Sequence, residues 1–333
     1  MLNGILCIGD PHLATRTPGH RKDDYPRAIL GKLAWCLEYA RREGLVPALL
    51  GDLFHLPRDN GNALVVELIS MFQPGDGLGP AGASAAAPLG IVGNHDVHET
   101  RLEPGDSLSI LVAAGRLRLV SQGAPWRGTI AGRQVAIGGT DWGAPLPDRV
   151  DRAALGLDQD GLLVWLTHHD VRFKGYEEAG RFDPREIAGV DVVVNGHIHR
   201  PLAPASKGGT TWLNPGNIAR VKRGDGSQRA PAALRIDVAT PLETAVDPES
   251  PGWRATPVEV PHRAYEDVFF EDVEVARPEA PERGSQFVAG MASLGRRTSD
   301  GQGLLDFLDS NLSRYPAAIA AEVRRLATEV LHA

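Results

Sequence analysis

The stretch Leu89-Gly-Ile-Val-Gly-Asn-His-Asp96 contains, in eight residues, the pattern that organises the chain. Its first half, residues 89–92, is a short apolar run that predicts a buried strand. The run ends in Gly93-Asn94-His95-Asp96, where a glycine permits a sharp turn and three polar side chains follow. In open α/β sheets, ligand sites gather at the carboxyl ends of strands. The stretch therefore predicts a strand that delivers polar groups to a site at one edge of a sheet.

Four other apolar runs end in the same kind of block. Gly9-Asp10-Pro11-His12 follows the run at 5–8, and Gly51-Asp52-Leu53-Phe54-His55 follows the run at 48–50. His168-His169 follows the run at 162–167, and Gly196-His197-Ile198-His199 follows the run at 190–195. A further apolar run at 135–138 extends the sheet, and helical periodicity at 25–43 and 63–72 predicts two helices. Apolar strands that alternate with helices predict a layered α/β core with both sheet faces covered.

The polar blocks together have the composition of a metal centre. Imidazole, carboxylate and amide oxygen suit Mn²⁺, Fe²⁺ or Zn²⁺, and no thiolate is present to select a softer metal. Seven candidate ligands exceed what one tetrahedral ion needs. They suit two ions about 3.5–4 Å apart, an arrangement used for in-line displacement at phosphorus. Each block has an ordinary reading as a strand-to-turn signal or an Asx turn, but five such blocks in one order favour a site.

The order of these blocks resembles that of the calcineurin-like metallophosphoesterases, over roughly residues 3–220. The resemblance implies an α/β fold in which a two-sheet β-sandwich is flanked by helices and holds two divalent ions at one edge, Mn²⁺ first, with Fe²⁺, Zn²⁺ or Mg²⁺ as alternatives. It implies that Asp52 bridges the ions. The remaining ligands it implies are Asp10, His12 and His199 for the first ion and Asn94, His168 and His197 for the second. His169 is the alternative to His168.

Further features resemble the SbcD-type DNA repair nucleases, the meiotic-recombination nuclease group, in a short bacterial or phage form. They are the block ending in His55 and the stretch Pro215-Gly216-Asn217. The resemblance implies a catalytic domain over 1–235, a small DNA-contacting cap over 236–285 and a helical tail over 286–333 that docks on an SbcC-like, SMC-type ABC ATPase. It implies DNA as substrate and allows a homodimer. Leucines at helical spacing from Leu304 to Leu312 fit the tail, although packing on the protein's own core explains them nearly as well.

The resemblance also assigns catalytic roles. His95 would stabilise the transition state or protonate the leaving oxygen, Asp96 would hold its imidazole, and His55 would position the phosphate. Basic residues that leave the metal edge are candidate phosphate contacts, or solvated loop residues: Arg16, Arg21, Arg220 and Lys222. Trp142, Trp165 and Trp212 are candidates for stacking on bases, with core packing the stronger reading for Trp165.

The composition indicates the class of protein and the cellular compartment that fit this chain. Hydrophobic residues make up 42% and charged residues 23% of the 333, which is typical of a globular protein. Cys7 and Cys36 both lie in apolar runs, which fits a reducing compartment. We find no signal-peptide pattern and no membrane span, so the expected location is the cytoplasm, or a host cytoplasm if a phage encodes the chain. The net charge of −7 excludes a polycation that coats nucleic acid.

Two other functions are compatible with the sequence. A small-molecule phosphodiesterase or phosphatase, acting for example on cyclic nucleotides, would keep the chemistry with another substrate. A non-catalytic scaffold that binds DNA ends would keep only the fold. The complete set of ligands argues against the scaffold, because a decayed member would lose some of them.

Overall fold

The computed structural model describes residues 2–18, 21–73, 87–221, 223, 228–246, 251–270 and 323–324. The chain divides into two units, Met1–Phe270 and Glu271–Ala333. Of the second unit only Val323 and Arg324 are described, and both are helical. The tail predicted over 286–333 therefore lies almost wholly outside the described residues.

Twelve strands and five helices form the described part of the first unit. The strands are β1 (Gly4–Ile8), β2 (Leu45–Leu49), β3 (Leu89–Gly90), β4 (Arg118–Leu119), β5 (Trp126–Ile130), β6 (Arg133–Thr140), β7 (Leu162–Thr167), β8 (Val192–Asn195), β9 (Leu202–Lys207), β10 (Thr210–Asn214), β11 (Ala232–Val238) and β12 (Trp253–Glu259). The helices are α1 (Tyr25–Glu43), α2 (Asn62–Met71), α3 (Ser107–Ala113), α4 (Pro241–Val246) and α5 (Tyr265–Val268).

The strands form two mixed six-stranded sheets, in the orders β12-β11-β1-β2-β3-β4 and β5-β6-β7-β8-β10-β9. In the first sheet β1 to β4 are parallel, and β11 and β12 add an antiparallel pair beside β1. In the second sheet β6, β7, β8 and β10 are parallel, with antiparallel β5 and β9 at the two outer edges. The two-sheet α/β architecture predicted from the sequence is confirmed.

Alternate residues of the central strands pack on different layers, which explains why these strands read as continuous apolar runs. Ile5 and Cys7 of β1 face the core between the two sheets, whereas Leu6 and Ile8 face α1, α2 and α3. The outer face of the second sheet packs instead on the irregular segments 146–157 and 171–190, which flank β7 in the sequence. Among the described residues, helices therefore cover the first sheet and loops cover the second.

Helix α1 begins and ends at the predicted residues because both ends carry strong local signals. The Asp24 side chain accepts a hydrogen bond from the N–H of Arg27, and Pro26 occupies the first turn. Gly44 ends the helix in the left-handed conformation, with φ +67°. The helix buries one apolar face against the first sheet, made of Ile29, Leu33, Cys36 and Ala40.

The boundary predicted at residue 236 falls inside β11, which pairs with β1 on one side and β12 on the other. Residues 236–246 and 251–270 thus belong to the same unit as the predicted catalytic domain.

Cys7 and Cys36 are buried free thiols. No helix in the described ranges is both long and apolar enough to cross a bilayer.

Candidate metal centre

The carboxyl ends of β1, β2, β3, β7 and β8 bring the five polar blocks together at one edge of the two sheets. Backbone hydrogen bonds join neighbouring blocks: the N–H of His12 donates to the carbonyl of Asp52 at 2.9 Å, and that of Gly196 donates to Thr167 at 2.8 Å. Parallel strands from both sheets end here, so the clustering follows from the topology.

Several predicted ligands have a strained backbone. Left-handed φ values of 36°, 47°, 49° and 70° occur at Asp10, His12, Asp52 and His197. A non-glycine residue in this region costs on the order of 1–3 kcal/mol and persists where the surrounding structure enforces it. Such residues cluster at functional sites, and four of the seven predicted ligands share this feature.

Glycine is required where the second and third blocks meet. A Cβ at Gly93 would lie 2.2 Å from Asp52 Oδ1 and 2.3 Å from its backbone nitrogen. Contacts this short do not occur between real atoms, so Asp52 reaches its position only because residue 93 has no side chain.

The first group of donor atoms comes from His12, Asp52 and His199. The Nε2 atoms of His12 and His199 are 2.9 Å apart, and His12 Nε2 is 3.6 Å from Asp52 Oδ2. Asp10 joins from the side, its Oδ2 3.8 Å from His199 Nε2. That Oδ2 atom is buried without a hydrogen-bond partner in the described structure. A buried carboxylate oxygen needs such a partner or a cation, so a divalent ion fits this group.

The second group comes from Asp52, His168 and His197, with Asn94 between the two imidazoles. Asn94 Oδ1 lies 3.1 Å from His168 Nε2 and 3.0 Å from His197 Nδ1. His168 Nε2 is also 3.3 Å from Asp52 Oδ2. Asp52 therefore belongs to both groups through one oxygen, which is the position a bridging ligand would take.

The structure places His168, and not His169, in this group. His169 turns away, its Nε2 2.9 Å from the carbonyl of Ala144 and its Nδ1 beside the hydroxyl of Thr167. Both ring nitrogens of His169 thus have partners within the protein.

The two imidazoles of the second group are oriented by contacts of the ring nitrogen that faces away from the donor atoms. His168 Nδ1 lies 2.7 Å from the carbonyl of Leu50, so Nδ1 carries the proton and Nε2 faces the donor group. His197 Nε2 lies 2.7 Å from Asp170 Oδ1, which leaves Nδ1 to face Asn94. Residues that fix the tautomer of a metal-binding histidine raise its basicity. Asp170 was not predicted from the sequence, where its position directly after His168-His169 was the available signal.

The buried charges favour a cation. Burial raises the pKa of Asp10 to about 7, opposed by His168 and reinforced by Asp52. Burial would also raise the pKa of Asp52, but His168 outweighs this effect and holds the pKa of that carboxyl well below its usual range. Burial would lower the pKa of His168, yet Asp52 raises it to about 10. Protonated His168 is thus the counter-charge for Asp52, a role that divalent ions can take over.

Burial favours the neutral form of three other imidazoles at the edge, those of His12, His197 and His199. Burial lowers the pKa of His199 to about 4 and lowers the pKa of His12 and of His197 as well. Neutral imidazoles keep the lone pair that a metal ion needs. His199 has an exposed side chain, 44% accessible, so the edge opens to solvent on that side.

His95 lies at the edge, with its ring centroid 4.8 Å from that of His12, but Asp96 does not hold its ring. His95 Nδ1 is 2.8 Å from the carbonyl of His55. The Asp96 carboxylate instead accepts from the N–H groups of Phe54 and Gly93, at 3.1 and 2.9 Å. The predicted role of Asp96 is therefore corrected: it ties two ligand-bearing loops together, because its buried side chain points into the backbone of both.

His55 contacts the same edge. Its ring stacks on that of His95, with centroids 5.6 Å apart, and forms a third candidate donor group with His12 and His95. Its Nδ1 is buried without a hydrogen-bond partner among the described residues. A predicted role in positioning phosphate is compatible with this placement.

Two predicted phosphate contacts are corrected by the structure. Arg21 and Arg220 are 8% and 4% exposed. Arg21 donates to Asp23 and to the carbonyl of Arg220, and Arg220 donates to the carbonyls of Arg229 and Arg263. Both guanidinium groups thus satisfy their donors within the protein, because they hold chain segments together.

The remaining candidates for substrate contact are Arg16, Lys222 and three tryptophans. Arg16 is exposed near the first block, and Lys222 lies outside the described residues. Trp165 and Trp212 are buried in the core behind the second sheet. Trp142 is half-buried, with its ring centroid 4.8 Å from that of His197, so it is the tryptophan at the metal edge.

No family model matches the sequence, and no curated protein matches it. Among solved structures, the chain is similar to NAD nucleotidase of Haemophilus influenzae, with 13% identity, a TM-score of 0.45 and coverage of 78% of this chain and 50% of that one. It is also similar to a 5'-nucleotidase precursor of Thermus thermophilus, with 15% identity, a TM-score of 0.41 and coverage of 78% and 54%. The chain spans about half the length of these two proteins. We therefore infer function from the site residues alone.

Proposed function

We propose that the protein is a metal-dependent phosphodiester hydrolase with two divalent ions at the edge of its sheets. One observation carries the proposal: Asp52 Oδ2 lies 3.6 Å from His12 Nε2 and 3.3 Å from His168 Nε2, between two groups of nitrogen and oxygen donors. Two ions that share a carboxylate suit displacement at phosphorus. A single-ion site would need only one of the two groups.

The donor set fits the proposed ions. Asp10, His12, Asp52 and His199 would hold the first ion, and Asp52, Asn94, His168 and His197 the second. Imidazole, carboxylate and amide donors suit Mn²⁺, with Fe²⁺, Zn²⁺ and Mg²⁺ as alternatives. When bound, such ions supply Lewis acidity toward a phosphate and a water of lowered pKa.

The proposed role of His95 is to move a proton. A carbonyl only accepts hydrogen bonds, so the contact of His95 Nδ1 with the His55 carbonyl puts the proton on Nδ1. The Nε2 atom then faces away from that carbonyl and, when protonated, can donate to the phosphate or to the leaving oxygen. The backbone N–H of His95 donates to Asp52 Oδ1 at 2.8 Å, which fixes this residue relative to the shared ligand.

As substrate we propose DNA, with an SMC-type ABC ATPase as partner in repair or recombination. The sequence Gly51-Asp52-Leu53-Phe54-His55 supports this branch. Exposed Arg16 near the first block and half-buried Trp142 beside His197 supply one cation and one stacking surface near the edge. Docking on the ATPase is proposed for residues 303–333 and is tested by their deletion: hydrolysis of a small diester should persist, and ATP-stimulated processing of DNA should be lost.

One observation favours the alternative, a phosphodiesterase or phosphatase that acts on small molecules. Arg21 and Arg220, two of the four basic side chains named as candidate phosphate contacts, are satisfied by the protein's own carbonyls and Asp23. Among the described residues, the edge therefore offers fewer free cations than a long phosphate backbone would use.

Hydrolysis assays on bis-p-nitrophenyl phosphate and on linear DNA separate these functions. Each substrate is tested with Mn²⁺ and then with EDTA, using the Asp52→Asn variant as a site control. A nuclease hydrolyses both substrates, and a small-molecule phosphodiesterase hydrolyses only the first. If neither is hydrolysed at any metal concentration, or if Asp52→Asn is as active as the wild type, the proposed function is wrong.

A further inference from the structure

A second concave site lies outside the metal edge, between helix α1 and the segment 261–268. It is a cavity of about 400 Å³. Five cationic side chains line it, with Asp23 as the one carboxylate among its lining residues: Arg21, Arg27, Lys32, Arg220 and Arg263. Neither the metal chemistry nor the proposed hydrolysis uses these groups.

The cations in the wall of this cavity are held there at an electrostatic cost. Arg21 pairs with Asp23, at 2.8 Å, and the charge of Asp23 offsets only in part the effect of the two arginines on Lys32. Lys32 donates to the carbonyl of Ile218, at 3.0 Å, which is a neutral partner. Burial, and then the charges of Arg220 and Arg21, lower the pKa of Lys32 to about 7. An anion in the cavity would relieve this repulsion.

Two further cations are free to reach such an anion. Arg27 and Arg263 are exposed, and neither side chain has a hydrogen bond or ion pair to the described residues. They come from different elements of the lining, Arg27 from α1 and Arg263 from the segment before α5. Glu266, whose charge acts on Arg220, is not among the lining residues.

The cavity also offers an aromatic surface. Trp35 lines it and is half-buried, with its ring stacked on Tyr39 at a centroid distance of 5.2 Å. A tryptophan face beside a cluster of cations suits a ligand that has both a planar ring and phosphates. The volume lies within the range of sites for small molecules, about 300–1,000 Å³.

We propose that this cavity binds a small diphosphate-bearing anion, such as a nucleoside diphosphate, through Arg27, Lys32 and Arg263. The site is separate from the metal edge but adjoins its supporting loop. Ile218, whose carbonyl accepts from Lys32, donates its own N–H to the carbonyl of Gly9 at 3.0 Å, and Gly9 precedes Asp10. The inference does not depend on hydrolysis, since its residues are not those of the metal centre.

Calorimetric titration of the full chain in EDTA tests the proposal, with pyrophosphate and ADP as probes. EDTA removes divalent ions, so neither probe can bind through a metal. We expect one molecule of either probe per chain. The double variant Arg27→Gln/Arg263→Gln should weaken binding at least tenfold, and Lys32→Gln should also weaken it.

The matched control is Arg42→Gln, which removes an exposed arginine from the end of the same helix. It should leave affinity unchanged. Absence of binding by the wild type at millimolar probe overturns the proposal, as does an equal loss in Arg42→Gln, which would indicate unspecific attraction. Arg27 and Arg263 are exposed, so the double variant should fold even if Lys32→Gln does not.

Discussion

The two oxygens of Asp52 have different partners. Oδ1 accepts a hydrogen bond from the N–H of His95, at 2.8 Å, and this contact fixes the carboxylate plane. Oδ2 faces His12 on one side and His168 on the other. The sharing of Asp52 between two donor groups thus depends on one atom, held in place by a strained backbone with φ 49°.

His95 should be essential for turnover and dispensable for metal binding. Its ring contacts the His55 carbonyl, and only its backbone contacts Asp52. We expect His95→Ala to lower the rate of diester hydrolysis by about 10²–10⁴-fold, the usual contribution of a general acid or base. Metal analysis of the purified variant should still find two ions. The exposed neighbour His98, changed to alanine, is the control, and loss of metal from His95→Ala would show that His95 is a ligand.

Asp170 should support the second ion without binding it. Its carboxylate holds His197 Nε2 at 2.7 Å. Removing such a partner typically weakens metal affinity about 10–100-fold, so Asp170→Asn should weaken one of two Mn²⁺ binding steps by that amount. The comparison is Asp183→Asn, which breaks an exposed ion pair with Arg172. Unchanged affinity in Asp170→Asn would mean that His197 needs no such support.

Lys32 should make stability depend on pH. The pKa of Lys32 falls from an ordinary 10.5 to about 7 in the folded chain, chiefly through burial. Between these values the unfolded chain binds more protons, so the contribution of Lys32 to stability rises with pH, by at most about 1.4 kcal/mol per unit. Denaturant titrations from pH 6.5 to 9.5 should show a smaller rise in Lys32→Met than in the wild type. An identical slope in the two proteins would contradict the lowered pKa of Lys32.

Local sequence patterns predict which residue types reach the edge, but they do not show which partner each side chain finds in the fold. The residue types and their order predicted which side chains meet at the edge. The role of Asp96 was predicted wrongly because its partner is a backbone N–H, which no local pattern records. Asp170 was missed because its partner is a histidine distant in the sequence. Arg21 and Arg220 were misjudged because a cation satisfied by carbonyls is indistinguishable, in sequence, from a free one.

The elements with strong local signals were predicted to the residue. Helix α1 has a capping aspartate and a terminal glycine, and strand β7 is an uninterrupted apolar run. Strand β2 begins three residues before the predicted start and includes Pro47. Pro47 is tolerated since β3 pairs only with Ala48 and Leu49. Strands β9 and β12 were missed, because outer strands with exposed residues lack an apolar run.

The turn after β3 should tolerate no side chain at its first residue. Gly93→Ala would place a Cβ 2.2 Å from Asp52 Oδ1. Either the turn or Asp52 must move, and we expect a loss of stability of about 1–3 kcal/mol together with weaker binding of both ions. Gly123→Ala, where a Cβ meets nothing within 4 Å, is the matched control. Denaturation and Mn²⁺ titration check both variants, and normal metal binding by Gly93→Ala would show that the close approach is not needed.

The site exists because two sheets end at the same edge. Asp10, Asp52 and Asn94 come from the first sheet, and His168, His197 and His199 from the second. The two donor groups that share Asp52 each combine side chains from both sheets, so the metal ions would join the two halves of the sandwich. The cores between and outside the sheets hold this edge in register.

The central claim is that two ions share Asp52, and calorimetric titration of the metal-free chain with Mn²⁺ tests it most directly. The wild type should bind two ions. Asp52→Asn should weaken both binding steps, because the shared carboxylate loses its charge, whereas Asp10→Asn should weaken mainly one. A wild type that binds a single ion, or an Asp52→Asn variant that loses one step and keeps the other at full affinity, would contradict the shared-ligand arrangement.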